Sequence, residues 1–458
     1  MLFTTNFSVP EKYEYLHGLG NHHESEAQPG ALPLVNSHPK DVPYGCKTEK
    51  VSGSAFVAPR AHNLHTYTYR AQASFFHSEF KPWNHHLETA NPSPPKHFNP
   101  NSYQWANFEI DDKSDWTQQR LFGSNGNAQR KTGMAMWVFS VTEDMKPQTV
   151  FTSLDGDALI TLQSGSLDIT TEMGKMLVRQ NEIAVIPRGI RYRVDLIDGI
   201  PSRGTVCELY EGHFRLPELG IIGSNGLANS RDFQIPKAFF DGKVVDDATV
   251  NMGKLAVVNN GSSDWTIISR LDTKLWACTQ EGTPFNVLAW HGTLYPYKYD
   301  LARFNMMTNA VYDHHDPSLF VILTAPSLGK EPYTAVVDFA ALPAHWEVSE
   351  DTMWLPWFHR NTMQEFIWPI VNDTSLPFGG KDFAPFAAWL NGSMVPHGSN
   401  ESEYKQWVEK DTSKPEKLMN DGLTIAIHEF ECPLLLTDWA FTGAKKNFKN
   451  QMEVSFGG

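Results

Sequence analysis

Residues 357–366 read WFHRNTMQEF, and a second segment near residue 397 reads SMVPHGSN. His359, Glu365 and His397 are the residue types that bind a divalent metal ion through two imidazoles and one carboxylate. Such a set occupies one face of an ion and leaves its other positions open, the ligand pattern of non-haem Fe(II) oxygenases. Spacing permits this chemistry without requiring it. Six residues of straight strand cover roughly 20 Å, so His359 and Glu365 share an ion only if the chain reverses between them. Arg360, Asn361 and Thr362 are polar enough to make such a turn. The competing reading is a surface loop, since a chain with 18 histidines meets this pattern easily by chance.

A second candidate is YDHHDPSLF at 312–320, where His314 and His315 lie between Asp313 and Asp316. An imidazole beside carboxylates is held in one tautomer and can act as a base near neutral pH. The plainer alternative is a turn opened by Asp-Pro. The pairs His22-His23 and His85-His86 fall in irregular sequence and read as solvated loop side chains. Lys381, in FGGKDFAPF, reads as a loop lysine or as a group facing the pocket.

The elements that must position these residues are strands. Thirty-two glycines and 29 prolines punctuate the chain, and long amphipathic helical patterns are scarce. Short runs such as TVFTSL, ALITLQ, SLDITT, KMLVR, EIAVIP, RYRVDL, AVVDFAAL and LTIAIHEF are bounded by turn residues. The stretch 155–198 is the clearest block, with turns at Asp155-Gly156, Ser164-Gly165 and Arg188-Gly189. Its end resembles the strand–turn–strand of a cupin jelly roll. Ile190, Arg191 and Tyr192 follow the Pro-x-Gly turn where a metal-binding cupin often has histidine, so this half reads as metal-free. Residues 400–420 are charged and predict a short surface helix.

The fold expected is all-β dominated. It has a cupin-like jelly-roll or β-sandwich N-terminal domain over 1–305, with an irregular extension at its start. A smaller β-rich domain over 306–458 carries the metal site. A length of 458 residues calls for two such parts. The net charge of −14 argues against a nucleic-acid partner, because phosphate binding needs a cationic face. Neither a signal-peptide pattern nor a membrane-length apolar run is visible. The four cysteines form no CxxC pair, and a reducing cytoplasm is the simplest compartment.

At a larger scale the sequence resembles the homogentisate 1,2-dioxygenase family. The resemblance runs through SGSAFVAPR (52–60), DGDALI (155–160), GKMLVRQNEIAVIPRGIRYRV (174–194), ELYEGHFRLPELGIIGSNGLANSRDFQIP (208–236), PFNVLAWHGTLYPYKYDL (284–301), YDHHDPS (312–318) and WFHRNTMQEF. It implies a mononuclear Fe(II) enzyme that opens an aromatic ring with O2. The implied iron ligands are His359, Glu365 and His397, and the implied acid/base residue is His314. The implied assembly is a hexamer of two trimers.

Between Glu365 and His397 the chain departs from the family pattern. Thr374 stands where a substrate-holding tyrosine is usual, and Asn391 where a pocket histidine is usual. With His397 these are the candidate substrate-facing positions. Trp368 and Trp389 replace small residues, and His428 replaces a phenylalanine. Losing polar partners from a buried site costs about 1–3 kcal/mol each. The departures therefore favour a paralogue acting on a bulkier hydroxylated aromatic, such as a polycyclic hydroquinone or anthraquinone-type metabolite. Two readings compete with it: an authentic homogentisate 1,2-dioxygenase of tyrosine and phenylalanine breakdown, and a scaffold that has lost activity.

Overall fold

The computed structural model describes residues 10–108, 111–218, 227–246, 255–259, 263–304, 306–312, 317–329, 335–353, 358–371, 384–399, 401–419, 424–443 and 449–450. Among them His314, Thr374 and Lys381 do not occur, so those three assignments lie outside the described residues.

Strands dominate, as the short apolar runs require. The block 155–198 folds as Asp157–Ser164, Ser166–Thr171, Gly174–Arg179, Glu182–Ile186 and Tyr192–Leu196. Gly165 turns the chain between the first two strands with φ at +78°, a region that only glycine enters without strain. Ser166–Thr171 alternates strictly, with Leu167, Ile169 and Thr171 buried. Asp157–Ser164 and Thr132–Val141 are instead buried along almost their whole length.

The layer arrangement explains that difference. A nine-stranded sheet, centred on Asp157–Ser164 and Ser202–Leu209, faces a seven-stranded sheet that includes Ser166–Thr171, Thr149–Ser153 and Asp264–Leu271. Leu159, Ile160, Val185 and Val206 of the first share one apolar core with Leu167, Ile169, Val178 and Val194 of the second. The outer face of the nine-stranded sheet is covered in turn by a seven-stranded sheet of the C-terminal half. Phe122 packs on Phe366 at 5.0 Å between ring centroids, and Gln163 Nε2 donates to the Ile370 carbonyl at 3.0 Å. A sheet covered on both faces needs apolar residues on both, so its strands lose their alternation.

The C-terminal sheet runs Val321–Pro326, Ala335–Leu342, Thr424–Phe430, Gln364–Val371, Ala388–Asn391, Tyr103–Trp105 and Lys449–Asn450 in spatial order. The halves exchange strands. Tyr103–Trp105 extends this sheet from the N-terminal half, and Leu435–Leu436 joins the nine-stranded sheet from the C-terminal half. The charged segment after residue 400 forms the helix Glu401–Val408. Among the described residues no helix is long and apolar enough to cross a membrane.

Candidate metal centre

Glu365 sits second in the Gln364–Val371 strand, at the middle of the C-terminal sheet. Across its two neighbours it is in register with Asn391 and Glu429. His359 lies before this strand and pairs backbone to backbone with His397, at 2.9 and 3.0 Å. Both pairings are antiparallel to the same partner segment, so the chain keeps its direction between His359 and Glu365. The reversal expected from the six-residue spacing does not occur. The two residues approach because the intervening segment leaves the extended form. Met394, at φ +59°, donates its N–H to the Asn361 carbonyl at 2.7 Å, and Ser393 Oγ donates to the Thr362 carbonyl at 2.6 Å. After His397 the chain needs a glycine, because a Cβ on Gly398 would stand 2.6 Å from Phe358 Cδ1.

The result is one group of three ligand-type side chains among the described residues: His359, Glu365 and His397, with donor atoms all within 4.8 Å of one another. Glu365 and His397 keep 7% of their side chains exposed and His359 keeps 25%, so the cluster is sunk but reachable. The hydrogen bonds constrain what can occupy it. His397 Nδ1 lies 2.9 Å from the Val395 carbonyl, which can only accept, so Nδ1 carries the hydrogen. His397 Nε2 then faces Glu365 Oε2 at 3.0 Å. A carboxylate oxygen also only accepts, so a bare lone pair there would repel it. Either a second proton or a metal cation must sit between them.

A metal fits the remaining contacts better. His359 Nε2 is 3.6 Å from Glu365 Oε1, too long for a hydrogen bond and suitable for two ligands of one ion. The two imidazole rings meet edge to face, with centroids 4.2 Å apart. Asn361 Nδ2 donates to Oε1 at 2.6 Å and Asn391 Nδ2 to Oε2 at 3.2 Å. These amides fix the carboxylate and keep it charged. Burial alone would push the Glu365 carboxyl up; the contacts from His359, His397 and Asn391 outweigh it and hold the group well below the usual carboxylate range. His359, Glu365 and His397 are thus able to hold a divalent metal, with the two asparagines and the Val395 carbonyl orienting the ligands.

Sequence reasoning missed Asn361 as a partner of Glu365 and read Asn391 as facing substrate. The Asn391 amide nitrogen donates to the carboxylate. The bulky departures also divide by face. Trp389 pairs with Ile367 in register and shares the side of Glu365 and Asn391. Trp368 is one residue out of phase with that side, fully buried, and packs on Phe386 at 5.4 Å. His428 is in register with Phe366 and sits in the core among Phe339, Phe366 and Phe430. Neither Trp368 nor His428 lies on the face that carries the triad. Glu429 and Asp338 do continue the row of Glu365 across the sheet, a proximity that only strand register reveals.

Comparison with known proteins gives the family. Residues 14–301 match the family model described as homogentisate 1,2-dioxygenase N-terminal, and residues 302–454 match the corresponding C-terminal model. Homogentisate 1,2-dioxygenase of Emericella nidulans is 41% identical over 96% of this chain and 94% of its own length. The Drosophila melanogaster protein of that name is 37% identical over 93% of each chain. The Homo sapiens protein is 35% identical over 94% of this chain and 93% of its own. The chain therefore belongs to the homogentisate 1,2-dioxygenase family, a family of ring-cleaving dioxygenases.

Proposed function

We propose that the chain opens the aromatic ring of homogentisate with O2, using Fe(II) held by His359, Glu365 and His397. The carrying observation is the pairing of His397 Nε2 with Glu365 Oε2 at 3.0 Å, where the Val395 carbonyl already claims the other ring hydrogen. That arrangement calls for a second proton or a metal cation, and the 3.6 Å between His359 Nε2 and Glu365 Oε1 favours the metal. Two imidazoles and one carboxylate are the donor set that leaves ferrous iron with open positions. Family membership supplies the reaction class, and the relatives named above are all homogentisate 1,2-dioxygenases.

Ferrous iron, when bound, supplies the electron coupling between an aromatic diol and O2 that closed-shell side chains cannot provide. The protein residues have separate tasks. Glu365 brings the negative charge that balances the cation, and Asn361 and Asn391 keep it pointed and ionised. The Val395 carbonyl holds His397 in the tautomer whose Nε2 is free to bind. We assign to His314 the acceptance of the phenolic proton of the substrate, on the resemblance of the YDHHDPS segment to the family and the capacity of imidazole for general base work.

Homogentisate is favoured over a bulkier polycyclic substrate for a structural reason as well. Trp368 and His428, two of the departures that suggested a rebuilt pocket, face the core rather than the triad. Oxygen uptake by the iron-loaded chain, measured with homogentisate and with polycyclic hydroquinones side by side, tests the reading. Turnover with homogentisate at the higher kcat/KM is the expected result. Turnover with the polycyclic compounds alone would return the bulkier substrate, and no uptake with any of them would point to an inactive scaffold.

A further inference from the structure

A second pair of imidazoles lies on a different sheet. The four-stranded sheet runs His23–Glu26, Val287–Gly292, His65–Arg70 and Lys47–Ser52 in spatial order. On one face of it His22 Nε2 stands 3.2 Å from His291 Nδ1, although the two residues are 269 apart in sequence. The expectation that His22 is merely a solvated loop side chain is therefore incomplete.

The surroundings fix which atom of His291 is available. Tyr69 OH donates its single hydrogen to the Ser37 carbonyl at 2.9 Å. Its oxygen lies 3.0 Å from His291 Nε2, and with that hydrogen spent it can only accept there. Nε2 of His291 thus carries the proton, and Nδ1 points a lone pair at His22. Tyr67 and Tyr69 lie nearly parallel to the His291 ring, with centroids at 5.4 and 5.9 Å, and hold its orientation. Glu24 is the cross-strand partner of His291 and follows His22 by two residues. His22 and Glu24 are both exposed, so the pair is open to solvent.

We propose that His22 and His291 bind a second divalent late first-row metal ion, of the zinc or nickel class, with Glu24 contributing the compensating charge. An ion at the usual 2.0–2.1 Å from both nitrogens would see them about 100° apart at their 3.2 Å separation, close to the tetrahedral angle. The chain from His291 through Tyr69 to Ser37 is the outer hydrogen-bonding support that metal-binding histidines usually have. Without metal the same nitrogens share a hydrogen bond from His22. With metal, the ion ties the segment leading into the His23–Glu26 strand to the neighbouring Val287–Gly292 strand. The site uses none of the residues that carry the ring-cleavage reading and stands independently of it.

Elemental analysis of the full, iron-loaded chain after equilibration with micromolar Zn2+ and gel filtration tests the proposal. The expected result is one zinc per chain bound in addition to retained iron. His22→Ala should weaken zinc uptake at least tenfold and leave iron content and oxygen uptake unchanged. Tyr69→Phe, which removes the support and keeps the packing, should weaken zinc binding about 10–100-fold. Iron content in each variant reports that the chain is folded. No zinc beyond the iron site, zinc gained only as iron is lost, or equal zinc uptake by wild type and His22→Ala would each overturn the site.

Discussion

Replacing Asn391 with alanine separates two roles that the sequence could not separate. The wild-type amide donates to Glu365 Oε2 at 3.2 Å, in a position where both residues are buried. A hydrogen bond to a charged group contributes about 1.5–3 kcal/mol. Loss of an outer partner of a metal ligand typically costs 10–100-fold in metal affinity, the same order. Asn361 remains on Oε1 at 2.6 Å, so the carboxylate keeps one of its two amide donors and the effect should stay within that range. Competition for Fe(II) against a chelator of known strength measures it directly. The expected outcome is an iron dissociation constant raised about 10–100-fold, with KM for homogentisate at saturating iron almost unchanged. Unchanged iron affinity together with a raised KM would refute the reasoning and return Asn391 to the substrate.

Three further outcomes follow from the packing. The two tryptophans should behave differently: Trp368→Ala should cost about 3–5 kcal/mol of stability with no change in substrate preference, whereas Trp389→Ala should raise kcat/KM for bulkier hydroquinones relative to homogentisate. Denaturant titration and paired kinetics decide this, and a preference shift in the Trp368 variant would contradict the face assignment. His428 is buried with no hydrogen-bond partner on either ring nitrogen, and burial pushes it down to about 3. Its unfolded value is about 6.5, so the unfolded chain binds a proton that the folded one refuses, and stability falls as pH drops below that value. His428→Phe should raise stability by about 1–3 kcal/mol, with a margin that grows on acidification; a margin constant from pH 7 to 5 would show the imidazole is solvated. Buried Asp157 and partly buried His213 form a pair at 2.5 Å. Burial opposes both charges, but the partner wins in each case, raising His213 and, with Arg188, holding Asp157 well below the usual range. The His213 contribution is then complete below about pH 6.5 and lost as pH rises through its folded value. The Asp157 contribution is complete above about pH 3.9 and lost as pH falls through its own. Melting curves should show the advantage of wild type over His213→Gln shrinking from pH 6 to 9, and a constant difference would contradict the pairing.

Much of the strand content was legible in the sequence, because turn residues bracket apolar runs of strand length. Asp157–Ser164, Ser166–Thr171, Gly174–Arg179, Glu182–Ile186 and Tyr192–Leu196 fall where the short apolar runs and the glycine turns put them. His359, Glu365 and His397 were legible as residue types and through family resemblance, and the structure draws them together. How they meet was not legible. The kink before Gln364 depends on hydrogen bonds to Ser393 and Met394, some thirty positions further along the chain. The orientation of Trp368 and His428 was not legible either, for a related reason. A substitution seen in sequence has no face until strand register assigns one, and a shift of one residue exchanges pocket for core. The pairing of His22 with His291 is farther from sequence still, since strands distant along the chain bring the two together.

Iron counted per chain after anaerobic Fe(II) loading and gel filtration tests the central claim most directly, with wild type, Glu365→Ala and His397→Ala treated alike. The account predicts one iron per wild-type chain and less than about a tenth of that in either variant, since removing one of three ligands leaves too few donors to hold the ion. Full iron retention by Glu365→Ala or by His397→Ala would contradict it.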